Sequence, residues 1–210
     1  MRLKSALQSI FGQAPHARLQ IGRAQSLLRS GDVDGAITEY RSAVRLSPND
    51  SDVHEGLGRA LSLAGRRPEA MAEYREAIRL SPNVAAHVGL ANELIELREL
   101  DAAIAEYRLA TALEPNFVMA HFFLAEALQE TDDFEGAVAE FRECVRLSPN
   151  DPDSQWSLGE ALESSGNLEA AAVQYYAARK LAPKDPDILD RYRLLSADMK
   201  RRVKNLARPA

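Results

Sequence analysis

The chain has 210 residues, 46% of them hydrophobic and 27% charged, a formal net charge of −5 and a single cysteine, Cys144. That mixture excludes a disordered polymer, and no apolar run approaches the ~20 residues that cross a bilayer. One cysteine also excludes an internal disulfide, so a reducing, cytoplasmic location is the expectation. Charge is unevenly placed. Residues 190–210 balance to +5 and residues 1–18 to +3, which leaves −13 on the body between them. An acidic body lacks the clustered Lys and Arg of a large nucleic-acid surface, so no nucleic-acid partner is expected.

In chain order, residues 1–16 come first. Leu3, Ala6, Leu7, Ile10 and Phe11 predict a short amphipathic capping helix that stops before Gly12 and Pro15. Ser5, Gln8 and Ser9 interrupt its apolar positions, which is unlike a signal peptide. Five similar segments follow, at 17–50, 51–83, 84–117, 118–151 and 152–185. Each closes on a proline: Pro48, Pro82, Pro115, Pro149 and Pro183, spaced by 34, 33, 34 and 34 residues.

With that proline counted as position 32 of each segment, other positions fall into register. Position 20 is Ala36, Ala70, Ala103, Ala137 and Ala171. Position 24 is Tyr40, Tyr74, Tyr107, Phe141 and Tyr175. Position 27 is Ala43, Ala77, Ala110, Cys144 and Ala178, and position 30 is always leucine. Positions 20, 24 and 27 make one stripe of a helix. Small residues there let a neighbouring helix approach, and the aromatic fills the groove between them. A first helix is predicted over positions 2–14, with apolar residues at 7, 8 and 11. Gly31, Gly65 and Gly166 at position 15 break the two helices apart. After the last segment, residues 186–210 predict a basic amphipathic capping helix with the stripe Ile188, Leu189, Tyr192, Leu195, Met199, Val203 and Leu206.

This pattern over residues 17–183 resembles the tetratricopeptide repeat (TPR) family, in five tandem copies. Two family positions differ. Where tryptophan is favoured at position 4, the chain has Gln20, His54, His87, His121 and Gln155. Where tyrosine is usual at position 11, it has leucine throughout. Arg23 stands where an apolar residue is usual, which places it at an edge near water. The resemblance implies an all-α, right-handed α-solenoid of five helix–turn–helix units with terminal caps. Its stability comes from stacking each unit on its neighbours.

Chemistry is sparse. His54, His87 and His121 share one repeat position. Packed helices stand roughly 8–10 Å apart, so three such histidines do not meet on one ion, and a packing role is expected with no metal. Cys144 takes the place of a core alanine. Asp32 and Asp34 lack the remaining ligands of a calcium loop and suit a helix N-terminus instead. Gly56 and Gly58 follow no strand and cannot form a phosphate loop. The flanks are too short for a catalytic domain. No enzyme activity and no cofactor are expected.

The resemblance further implies that the first helices line a concave groove that binds a peptide or helix of a partner protein. Positions 5, 9 and 12 would face it, and there the copies disagree. The candidate residues are Glu55, Arg59, Val88, Asn92, Phe122, Glu126, Gln129, Trp156, Glu160 and Glu163. Phe122 and Trp156 beside Glu126, Glu160 and Glu163 suit a ligand with apolar and basic side chains. The alternative is that the aromatics pack between repeats and the glutamates form a solvated face. Family members that clamp an acidic tail use Lys and Asn at positions where this chain has Val88 and Phe123, so that ligand is not implied. A second function class stays open: an assembly protein that self-associates, or sits on a membrane or larger complex, through its amphipathic ends.

Overall fold

A computed structural model of the chain describes residues 2–186 and residues 188, 190, 191, 193 and 194; of residues 2–15 it describes the backbone. The described residues form ten named helices and no strand. These are α1 (Arg2–Ser30), α2 (Val33–Leu46), α3 (Ser51–Leu63), α4 (Arg67–Leu80), α5 (Val84–Glu96), α6 (Leu100–Leu113), α7 (Val118–Glu130), α8 (Phe134–Leu147), α9 (Pro152–Ser164) and α10 (Leu168–Leu181). The described residues at 186–194 are helical too. The N-terminal break predicted before Gly12 and Pro15 is not made. Helix α1 runs through both, because a proline removes only the one bond its missing N–H would give.

Two compact units divide the chain, Met1–Leu113 and Glu114–Ala210. In the first, α1 packs on α2, α2 on α3, and so on to α6, each helix against the next. In the second, α7, α8, α9 and α10 follow the same rule. Within each unit the architecture is a stack of helical hairpins.

The hairpin turn repeats in detail. Position 15 has a left-handed backbone in every copy, with φ of 84° at Gly31, 71° at Gly65, 62° at Arg98, 59° at Asp132 and 83° at Gly166. This conformation turns the N–H of the residue itself and of the one after it back onto the helix end. Arg66 N–H reaches the Leu61 carbonyl at 2.9 Å and Gly65 N–H reaches that of Ser62 at 2.9 Å. Each of the other four turns closes with the same pair of bonds. The next helix is then capped where the sequence permits: Asp32 accepts from Gly35 N–H and Asp133 from Gly136 N–H.

The repeated small residues are the tightest part of the core. At positions 20 and 27 every side chain, Cys144 included, is fully buried, and no position-24 ring is more than 4% exposed. Three of these rings, Tyr40, Tyr74 and Tyr175, lie on glycines of a first helix. A Cβ added to Gly56 would stand 2.5 Å from the Tyr40 ring, and one added to Gly159 would stand 2.7 Å from Tyr175. Gly58 and Gly89 hold the Tyr74 ring in the same way. The invariant leucines of position 30 sit farther out, half-buried at Leu46, Leu80 and Leu147 and exposed at Leu113 and Leu181.

Position 4 carries a second repeated device. His54, His87 and His121 are buried, and each ring Nδ1 lies 2.6 to 2.7 Å from a glutamate on the paired second helix: Glu73, Glu106 and Glu140. The stripe predicted for the C-terminal cap is described only at Ile188, which is buried; its other members lie outside the described residues.

Candidate functional site

The ten candidate residues fall on the first helices, in a burial pattern that repeats with the units. Position 5 is half-buried in every copy: Ile21, Glu55, Val88, Phe122 and Trp156. Position 9 is exposed in every copy: Gln25, Arg59, Asn92, Glu126 and Glu160. Position 12 is half-buried again at Leu28, Ser62, Ile95, Gln129 and Glu163. Residues at i, i+4 and i+7 share one helix face, so each copy presents this stripe as surface; positions 7, 8 and 11 are buried from the second copy on, while in the first Arg23 is exposed and Leu27 half-buried.

The half-buried residues rest on the position-24 rings. Phe122 meets Phe141 edge to face, with centroids 5.5 Å apart at 75°. Trp156 lies against Tyr175 at 5.0 Å and 52°. Neither aromatic is core and neither is free: both are half-buried, and Phe122 also meets Phe123 edge to face at 6.3 Å. The tyrosine hydroxyls reach the same face from beneath. Tyr107 donates to Asn92 Oδ1 at 2.5 Å, and Tyr175 donates to Glu163 Oε2 at 2.9 Å.

Electrostatics differ between the units. In the first, Glu55 is held above the ordinary carboxylate range by burial, opposed by Arg59 one turn along. Tyr40 and Tyr74 are raised chiefly by burial too, so both stay phenols and offer O–H groups. In the second unit, burial raises Glu126, with Glu130 adding to it. Burial raises Glu160 as well, and there a bond from Trp156 and the charge of Arg191 pull the other way. A carboxylate that pays for its own desolvation gains most when a cation arrives.

Two features of these faces depart from the pattern of repeats. Glu93, a buried carboxylate on α5, accepts from the Ser62 hydroxyl and from Arg67 Nε at 3.0 Å. Ser62 is therefore occupied, not open. Its signal in the sequence is that position 10 is alanine or serine in every other copy: Ser26, Ala60, Ala127 and Ala161. Glu163 is also occupied. Arg191, from the segment after α10, lies side-on to it with Nη2 3.0 Å from Oε1 and Nε 3.2 Å from Oε2.

Among the described residues no group of His, Cys, Asp and Glu could hold a metal ion. The three histidines instead form three separate pairs with glutamates. Cys144 has no exposed surface, and burial pushes its thiol up to about 12, which leaves it protonated and inert. Among the described residues no helix is long and apolar enough to cross a membrane. The N-terminal side chains and the basic tail invoked for membrane or self-association lie outside what is described at side-chain level.

Comparison with known proteins agrees with this architecture. A family model for the tetratricopeptide repeat matches residues 21–85, 88–152 and 128–186. No curated protein matches the chain by sequence. Among solved structures, MamA 41-end from Desulfovibrio magneticus RS-1 superposes with a TM-score of 0.71 at 20% identity, covering 81% of this chain and 97% of that one. YrrB, described as a TPR protein with an unusual peptide-binding site, gives 0.69 at 20% identity over 83% and 90%. A tetratricopeptide repeat protein from Parabacteroides merdae ATCC 43184 gives 0.72 at 16% identity over 91% and 76%. At such identities the likeness is one of fold.

Proposed function

The chain belongs to the tetratricopeptide repeat family, and we propose that it is a non-enzymatic adaptor that binds a peptide or helix of a partner on its first-helix faces. Proteins of this family act as protein–protein interaction scaffolds. The finer reading is that the partner brings apolar and basic side chains to Phe122, Glu126, Trp156 and Glu160 in the second unit. In the first unit, Glu55, Arg59, Val88 and Asn92 offer a face of mixed charge.

One observation carries this. Where the copies must pack they agree and are buried, and at position 9 they are exposed and differ. Position 9 is Arg59, Asn92, Glu126 and Glu160 in successive copies, so its chemistry changes along the chain. A peptide-binding site described for YrrB adds a precedent within the fold.

The test is partner capture from native lysate, followed by affinity measurements on Trp156→Ala and Glu126→Lys at several salt concentrations. Both variants should remain helical and bind more weakly, and wild-type affinity should fall with salt. Unchanged affinity without salt dependence would overturn the reading.

A further inference from the structure

In two repeats position 6 meets the aromatic ring of the repeat before it: Gly56 lies against Tyr40 and Gly89 against Tyr74. Counted onward in the same register, the residue 34 places after Ser157 is Arg191. Arg191 keeps that appointment: it lies against Tyr175 and its guanidinium turns onto Glu163. Arg191 thus takes, after α10, the register place that Gly56, Gly89, Phe123 and Ser157 hold in the first helices before it.

The resulting geometry is that of guanidinium recognition. Both carboxylate oxygens of Glu163 are engaged side-on, by Nη2 at 3.0 Å and Nε at 3.2 Å. The Tyr175 hydroxyl donates to Glu163 Oε2 at 2.9 Å, sharing that oxygen with Arg191 Nε, and helps to fix the carboxylate in place. Trp156 packs against that same tyrosine. A lysine ammonium could satisfy one oxygen but not the fork.

The pair is also exchangeable. The Arg191 side chain remains 45% exposed, and a surface ion pair of this kind holds its site against competition only weakly. We propose that Glu163 and Tyr175 form an arginine site which Arg191 fills in cis, and that a partner's arginine takes this place when the partner binds the α9 face. The proposal rests on the adaptor reading above and names the side chain that the second unit selects. Masking by an exposed pair should not exceed about five-fold in apparent affinity.

Trp156 is the only tryptophan, so its fluorescence reports on this site alone. N-acetyl-arginine amide and N-acetyl-lysine amide would be titrated against wild type, Arg191→Ala and Glu163→Gln, with helicity checked by circular dichroism. In Arg191→Ala the arginine probe should give a saturable change with half-saturation several-fold lower than in wild type. The lysine probe should be weaker throughout, and Glu163→Gln should abolish the response. If Arg191→Ala loses helicity, Arg191→Met keeps the aliphatic stem and serves instead. Equal titrations in wild type and the Arg191 variant, or undiminished binding by Glu163→Gln, would overturn the proposal.

The two readings fail separately. A captured partner lost by Trp156→Ala but indifferent to Arg191→Ala and Glu163→Gln keeps the adaptor and removes the arginine site. A saturable arginine response in a protein whose partner ignores Trp156→Ala and Glu126→Lys does the reverse.

Discussion

His121 Nδ1 lies 2.6 Å from Glu140 Oε2, and its Nε2 lies 3.1 Å from the carbonyl oxygen of Pro115. One ring thus ties the closing turn of one repeat to the second helix of the next. His54 makes the same two contacts, with Glu73 at 2.6 Å and the Pro48 carbonyl at 3.0 Å. A carbonyl only accepts, so in the contact to it the ring Nε2 is the donor. Removing the ring leaves a part-buried carboxylate and a carbonyl without their partner. His121→Ala should therefore cost about 1–3 kcal/mol in urea unfolding. His121→Gln should cost less, because Gln155 already reaches the Pro149 carbonyl at 3.3 Å from the same position. It should not be neutral, since the Gln155 Oε1 is buried without a partner. Equal losses in the two variants would reduce the histidine to a space-filler.

The same substitution should have opposite effects at two glycines. Gly22 lies exposed on α1, with nothing within 4 Å of an added Cβ. Alanine there should stabilise by up to about 1 kcal/mol through helix propensity. Gly56 would put its Cβ 2.5 Å from Tyr40 Cε1, and that ring is wedged in the core. Overpacking of this kind costs about 1–3 kcal/mol and should outweigh the propensity gain. Thermal or urea unfolding of Gly22→Ala and Gly56→Ala decides it. A stabilised Gly56→Ala would mean the ring can retreat at little cost.

Most of the fold was legible because packing writes the same residue five times. Alanine at position 20, alanine or cysteine at 27, an aromatic at 24 and leucine at 11 are dictated by how close the helices must lie. A period of 34 makes that visible. Position 15 was legible at Gly31, Gly65 and Gly166. It was hidden at Arg98 and Asp132, because a turn can force a left-handed backbone on a residue that does not advertise it. The candidate face was legible as a stripe, since position 9 is open in every copy. Its occupancy was not. Glu93 with Arg67, and Glu163 with Arg191, are single events between residues 26 and 28 apart, and a single event has no period. The run of α1 through Pro15 escaped for a related reason: local breaker chemistry lowers helix stability without deciding where a helix stops.

Stability should rise modestly in mild acid through Glu126 and Glu160. Burial holds both carboxyls above their ordinary range, so the folded state favours their protonated forms. That preference is complete below the unfolded glutamate value, near pH ~4.3, and is lost as pH rises through the folded values. Both residues are exposed, so solvent screens these charges and the cost of each ionised carboxylate at neutral pH is small. Glu126→Gln should therefore be slightly more stable than wild type at pH 7, and the gap should close on acidification toward ~4.3. Urea unfolding of the pair at several pH values reads this directly. A basic partner should in turn displace these protons, so its affinity should weaken over the same fall in pH.

Glu93 offers a cleaner separation of charge from packing. Alanine occupies its position in three other copies, so Glu93→Ala introduces a side chain that the slot already accommodates. The loss should then come from Arg67 and Ser62, which keep their places without the carboxylate they bond. Breaking a buried pair costs about 3–5 kcal/mol, but the Arg67 side chain is 36% exposed and keeps Glu96 at 3.1 Å, so about 1–2 kcal/mol is expected here. Arg67→Ala should cost more than Glu93→Ala, because it strands a carboxylate that is only 7% exposed. The double variant should fall well short of the sum of the two. Urea unfolding of the four proteins completes the cycle. Additive losses would show that Glu93 and Arg67 act independently, and that the ion pair contributes nothing to the α3–α4–α5 packing.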